Sequence, residues 1–444
     1  MAERHDHHSS TAERRTESSA ESSAELSPEA DRPLRRSRDY LLLWWGQSSS
    51  SVGDAVSSVA LPLLAIETLH VTAWQNGALR AAEQVAGLFV LPLGVLVDRL
   101  RRRRLMIGTD LARLLLTCLV AVGALAGQLS YPVLLAAALA MGLFDSVFSI
   151  AFQSHLPDLL EERHRVSGTA QLGTGRFGAL TVGFAIGGVL VAAVGAGRAL
   201  LVDAASFLVS AATLGAVRRP NPRYPAAADE TGGHLGRRDL AFGVRQLWEN
   251  RSLRVLALTG TGISFALSLS VAVEMLFLVQ DLHASAFAVG IVYGLPVAAG
   301  VPGSWLSVRL IRRFGPARVM AGTLPAYGPA LAAPAFAPPG PLGPVVVGAA
   351  WALLILVASA YNAANSVLRQ ELTPAAVRGR VNAVIRSMGA SARLVALLAG
   401  GALGAVLGLR GALLCAAAVV LAPTLLLVGA RDFRAAAPGG SLAG

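Results

Sequence analysis

A handful of ionisable side chains interrupts long apolar stretches of this chain, and their types and spacing limit the chemistry open to them. Asp54 follows Gly53 near the middle of one stretch, with Ser51, Ser57 and Ser58 close by. A carboxylate there either takes up and releases a proton or stays paired with the neighbouring hydroxyls. Arg80 and Glu83, three residues apart, share one face of a helix. They can form an ion pair, or Glu83 can face a cavity and serve a cationic substrate. Glu274 has no arginine near it in sequence, so it reads either as a substrate carboxylate or as a group reaching the interface beside Gln280 and Asp281. Asp110 and Arg113 lie one turn apart. Arg386 and Arg393, seven apart, share a face and need carboxylate partners if buried. No phosphate-binding glycine loop, nucleophile elbow or metal-ligand cluster occurs, which argues against an enzyme and implies no cofactor and no metal.

The elements that hold these residues are apolar segments of about 20 residues, the length that crosses roughly 30 Å of hydrocarbon. Of the 444 residues 54% are hydrophobic and 15% charged, and the mean hydropathy is +0.56, too apolar to cover a soluble surface. Spans are expected at 40–66, 74–97, 104–127, 130–152, 168–195 and 197–217, and again at 252–281, 284–308, 316–336, 342–368, 380–408 and 410–430. The fold class is therefore an all-α integral membrane protein of twelve helices in two six-helix halves. The expected organisation is a disordered tail over 1–38, one half over 39–217, a polar linker over 218–251, a second half over 252–430 and a tail over 431–444. Inside a bilayer each charged residue above costs at least ~2.5–3.5 kcal/mol on insertion scales, so each is a functional candidate. Tyr40, Trp44 and Trp45 read as an interfacial belt.

Net charge is +11, yet the arginines gather in alternate loops, as an orientation signal does, and not in a nucleic-acid footprint. Every basic residue is arginine, and the Ala, Gly and Pro richness points to a GC-rich, bacterial genome. Loops around Arg35, Arg101, Arg163, Arg218, Arg312, Arg378 and Arg431 carry them, and the opposite loops hold only Arg198 and Arg410. Both termini are thus expected in the cytoplasm and the chain in the plasma membrane. The halves echo one another: Gly94 with Gly303, Arg165-Val166 with Arg380-Val381, and Gly187-Gly188 with Gly400-Gly401, at offsets of 209, 215 and 213 residues.

Several segments together resemble the major facilitator superfamily, within it the branch of enterobactin exporters and macrolide efflux proteins. They are Val52-Gly-Asp54, Ala81-Ala-Glu83, Gly94 to Asp98-Arg99, Phe144-Asp145, Gln153-Ser-His-Leu-Pro157 and Leu201-Val-Asp203-Ala-Ala-Ser-Phe207, then Tyr361-Asn362, Leu368-Arg-Gln370, Leu372-Thr-Pro374 and Gly379-Arg-Val-Asn382. Two positions depart from the family pattern. Arg101 stands where the loop motif has its second glycine, and Phe184 replaces the proline of the helix-5 motif at Gly183, Gly187 and Gly188. In such a protein Asp98 would face the positive end of the eleventh helix and close the cytoplasmic side. Gly94, Arg99, Arg102, Asp110, Arg113, Asp145, Arg176 and Arg386 are placed to join that gate, and Asp54, Glu83, Arg80 and Glu274 to couple protons or meet substrate.

The resemblance implies a monomeric alternating-access exporter in which protons drive a small amphiphilic molecule (a drug, siderophore or secondary metabolite) out of the cell. The rival expectations are a proton-coupled importer of a small nutrient and a transport-inactive sensor on the same scaffold.

Overall fold

The computed structural model describes residues 38–160, 164–218, 237–374 and 377–429. The tails expected at 1–38 and 431–444 and most of the linker lie outside these residues. The first half comprises α1 (Arg38–Leu69), a second span made of α2 (Ala73–Gln84), a 3-10 turn (Val85–Phe89) and α3 (Val90–Arg99), then α4 (Arg102–Leu125), α5 (Tyr131–Leu159), α6 (Arg165–Val194) and α7 (Ala196–Ala216). A short helix, α8 (Arg237–Glu249), precedes the second half. That half comprises α9 (Arg251–Leu276) with a π turn (Phe277–Asp281), α10 (Ala286–Phe314), a ninth span of α11 (Pro316–Thr323) and α12 (Tyr327–Ala332), α13 (Leu342–Leu372), α14 (Arg378–Val419) and α15 (Leu421–Gly429).

Among the described residues nine helical segments are individually long and apolar enough to cross a bilayer. The second span is interrupted by its 3-10 turn, and the ninth by 3-10 turns at Leu324–Ala326 and Ala333–Phe336, where Pro325 and Pro334 remove amide donors. The segment Arg378–Leu427 folds back at Gly408, whose φ of 75° few residues but glycine accept. Counting the two broken spans and dividing at Gly408 gives twelve, the expected number, and the ninth span ends at Phe336 as the sequence indicates.

Local capping sets where each second span begins. Thr72 accepts from the Gln75 amide at 3.3 Å while the Gln75 side chain accepts from the Thr72 amide at 2.9 Å, a reciprocal capping box. Ser285 caps α10 by accepting from the Ala288 amide at 3.3 Å. In the arginine-rich loop after α3, Arg103 donates to the Leu214 carbonyl at 2.7 Å and to that of Gly215, and Arg102 to the Ser154 carbonyl at 2.9 Å. The cations thereby satisfy carbonyls towards the C-terminal ends of α7 and α5.

The stretch read as a polar linker is helical over its last part. α8 lies against the start of α14, where Gly243 meets the Arg380 carbonyl and Leu247 is buried. Tyr40 departs from the expected belt: it is buried and donates to the Gly168 carbonyl at 3.2 Å, while Trp45 is exposed.

Glycine pairs fix how the halves meet. A Cβ on Gly188 would stand 2.7 Å from the Ala286 carbonyl oxygen and 3.0 Å from the Gly290 Cα, so α6 and α10 touch backbone to backbone. Gly77 and Gly401 do the same for α2 and α14, with 2.9 Å from the Gly77 position to the Gly401 Cα. Asn76 donates across the halves to the Ala272 carbonyl at 2.7 Å, and Phe184 stacks on Tyr293 with ring centres 5.9 Å apart. All these contacts lie towards the arginine-poor face. Towards the arginine-rich face, a Cβ on Gly94, Gly173 or Gly178 would meet nothing within 4 Å among the described residues.

Candidate functional site

Gly53 lets α1 approach α7 closely enough to gather the first group of charges. A Cβ there would lie 2.5 Å from the Asp203 carboxylate. Asp54, one residue on, accepts from the Arg113 guanidinium at 2.6 Å. Arg113 on α4 also reaches Asp145 of α5 at 3.5 Å, and its guanidinium carbon sits 4.1 Å above the centre of the Phe207 ring on α7. Ser57 donates to Asp203, whose other oxygen accepts from Ser206 at 3.2 Å. Asp110 is fully buried one turn before Arg113, beside Ser210. Four carboxylates thus surround one buried guanidinium, with Arg176 of α6 within electrostatic reach of Asp54.

The serines settle only part of the Asp54 question. Ser58 donates to the Asp54 main-chain carbonyl at 2.7 Å and Ser57 to Asp203, so the partner of the Asp54 carboxylate is Arg113. Asp54, Arg113, Asp145 and Arg176 line two adjoining hollows of about 330 and 250 Å³. Arg80 and Glu83 lie on the wall of the larger and pair at 3.5 Å, as their spacing predicts.

A second group sits where the halves meet. Glu274 on α9 is 1% exposed and lies beside Trp351 of α13 and within electrostatic reach of Arg80 on α2. Tyr293 of α10 belongs to the same cluster, so Glu274 has a cation near it in space though none near it in sequence.

A cavity of about 700 Å³ lies between α9, α12, α13 and α14 of the second half and is bordered by Gly87 and Val90 of the first half's second span. Arg386 and Arg393 both line it, and among the described residues neither has a carboxylate within ion-pair distance, contrary to the expectation of an acidic partner. The Tyr361 hydroxyl and the Asn365 and Asn382 amide oxygens lack hydrogen-bond partners, and Tyr361 packs edge-on against Tyr327 at 6.0 Å.

The remaining candidates are placed as follows. Arg99 is exposed at the end of α3, Arg102 is tied to α5, and α3, which carries Gly94 and Asp98, packs chiefly on α5. Gly183 and Gly187 seat α6 against Val52, Ala55 and Val56 of α1, while Gly188 seats it against α10, so the helix-5 motif acts as two packing faces. Phe184 leaves α6 an uninterrupted helix and contributes its ring to the contact with Tyr293. Asp203 belongs to the Leu201–Phe207 segment, where a carboxylate inside an apolar span is signal enough to place it in the site. Tyr293, Trp351 and Tyr361 gave no such signal, because an aromatic residue in an apolar helix is ordinary core.

Among solved structures, a variant of the nucleoside transporter NupG superposes with a TM-score of 0.72 at 14% identity, covering 88% of this chain and 99% of that one. A bacterial homologue of the iron transporter ferroportin in its inward-facing state gives 0.71 at 18% identity, covering 88% and 98%. A bacterial homologue of the human lysosomal transporter Spinster gives 0.64 at 16%, covering 93% and 100%. Among curated protein sequences none matches the chain significantly. The profile of the Major Facilitator Superfamily matches residues 43–396, most of both halves. With twelve spans in two halves around a shared cleft, the chain is an integral membrane transporter that belongs to the major facilitator superfamily.

Proposed function

We propose that the chain is a secondary active exporter that couples proton entry to the outward movement of a small amphiphilic molecule across a bacterial plasma membrane. The observation that carries this is Arg113 held between Asp54 and Asp145 on the wall of an open cleft. Because the guanidinium has two acidic partners, one carboxylate can accept a proton while the other keeps the cation paired. That proton alters the bonds joining α1, α4 and α5, and so biases one arrangement of the first half over another. One charge moving through 100 mV contributes about 2.3 kcal/mol, enough to shift a two-state equilibrium by more than tenfold.

The arginine asymmetry supports a cytoplasmic location for the arginine-rich face and both termini. On that placement the cleft is open to the cytoplasm, ready to load cargo. Closing that side brings α3 towards α14, where Asp98 meets the helix N-terminus and Gly94 permits the approach. Arg99, Arg102, Asp110, Asp145, Arg176 and Arg386 adjust around it. Each hollow is complete within one chain, in keeping with a monomer.

The test is transport in everted vesicles energised to an inside-acid gradient. Accumulation of a dye or macrolide should stop when a protonophore is added, and substrate addition should release protons. Accumulation that survives loss of both proton and sodium gradients refutes the coupling.

A further inference from the structure

We infer that the cargo carries a negative charge, and that Arg386 and Arg393 of α14 form its anion-binding subsite in the 700 Å³ cavity, a conclusion that rests on the transporter reading above and specifies its substrate class. Arg393 stands fifteen residues into α14, about 22 Å along a helix that turns back at Gly408, so it lies near the middle of the span. Arg386 is two turns earlier on the same face. A guanidinium at that depth is expensive and persists where it faces a cavity and meets a partner.

Of the other arginines inside the bundle, Arg176 faces the acids of the first-half hollows, within electrostatic reach of Asp54, and three more have such partners in the chain. Arg113 has Asp54 and Asp145, and Arg80 has Glu83. Arg410, at the arginine-poor end, has Asp281 at 3.6 Å and the Ala335 and Ala337 carbonyls, each at 3.2 Å. Arg386 and Arg393 have none among the described residues, and both side chains open into the cavity. Two guanidiniums seven residues apart offer planar donor sets to a carboxylate, sulfonate or phosphate.

The rest of the wall fits an amphiphilic anion. Tyr361, 2% exposed, contributes to the same wall, and its hydroxyl is buried without a partner among the described residues. Its ring and that of Tyr327 form an apolar wall for the body of the molecule. The volume is that of a site for a drug-sized ligand. The acids of the cleft belong to the first half and to Glu274, so the charged head is drawn to α14 and away from the proton-carrying cluster.

Binding is read on the purified full-length chain in lipid nanodiscs, with 1-pyrenebutyrate and fusidate as acids, the methyl ester of each as a neutral control, and rhodamine 6G as a cation. The acids should bind at least tenfold more tightly than their esters or the cation. Arg386→Gln and Arg393→Gln should each weaken the acids roughly tenfold or more and leave the esters unchanged. Arg393→Lys, which keeps the charge, should recover part of the loss, and unchanged ester binding shows that the variants are folded. Preference for rhodamine 6G, no saturable binding of either acid, or equal acid affinity in the Arg386→Gln/Arg393→Gln double variant overturns the inference. The last result would leave the two arginines a gating role alone. Anion binding without gradient-driven transport would uphold the subsite and refute the exporter reading.

Discussion

Replacing Gly290 by alanine should push the two halves apart at the arginine-poor face. The added Cβ would lie 2.6 Å from the Phe184 carbonyl oxygen and 2.9 Å from the Gly188 Cα, both rigid main-chain atoms. Ordinary contact begins near 3.4 Å, so α6 and α10 must separate by about 0.8 Å. Overpacking of this size costs typically ~1–3 kcal/mol, and only the conformation in which these helices touch bears that cost. The balance should therefore move towards the opposite conformation by roughly five- to 150-fold. Gly178→Ala, on the contacting helix α6, places its Cβ where nothing among the described residues lies within 4 Å and is the matched control. The assay is labelling of a cysteine placed at Gln280, beside the closed end, by a membrane-impermeant maleimide applied from the arginine-poor side. Faster labelling in Gly290→Ala and wild-type labelling in Gly178→Ala is the expected pair. Equal rates in both variants would show that the glycine contact does not hold that end closed.

Asp54→Asn should fold, since Arg113 keeps Asp145, yet lose gradient-driven transport. Arg113→Gln removes the cation from several carboxylates at once and should lower the detergent melting temperature clearly more. Breaking a buried pair costs ~3–5 kcal/mol, an upper bound here because the Asp145 side chain is 60% exposed. Comparable melting of the two variants by fluorescence size exclusion would contradict the network. Asp98→Asn should reduce transport while a cysteine at Asn382 stays reactive from the arginine-rich side for a larger fraction of the time. A wild-type rate with unchanged reactivity removes Asp98 from the gate.

The fold was legible because crossing a bilayer imposes a length and a hydropathy that recur visibly along the chain. The count of twelve, the break at Gly408 and the ninth span over 316–336 all follow from that constraint. α8 escaped because an amphipathic helix among prolines and charges has no bilayer-length signature. Pairs close in sequence, such as Arg80 with Glu83, were legible for a local reason, helical spacing. Pairs made by tertiary approach were not. Asp110 and Arg113 look like natural partners one turn apart, yet Arg113 turns to Asp54 and Asp145 on two other helices. Nothing in the spacing of residues 54, 113 and 145 announces a meeting that depends on how α1, α4 and α5 pack.

The sequence offset between the halves separates packing from chemistry. At 213 residues, Thr72 corresponds to Ser285, Gly77 to Gly290, Gly187 to Gly400 and Gly188 to Gly401. The structure gives the members of each pair the same work: two helix caps, two glycines that seat a helix within its half, and two backbone contacts between halves. Duplicated architecture has kept these positions equivalent. The charges have not been kept. At the same offset Asp54, Arg113, Asp145 and Asp203 fall on Leu267, Ala326, Ala358 and Ala416, while Arg386 and Arg393 fall back on Gly173 and Leu180. One half therefore gathers four carboxylates around a buried guanidinium, and the other carries Arg386 and Arg393 on the wall of a roomier cavity. Two similar halves that rock about a shared cleft need matching contact surfaces to move, and they need unlike interiors if proton and cargo are to bind in different places. The second requirement explains why the functional residues fail to repeat where the glycines do.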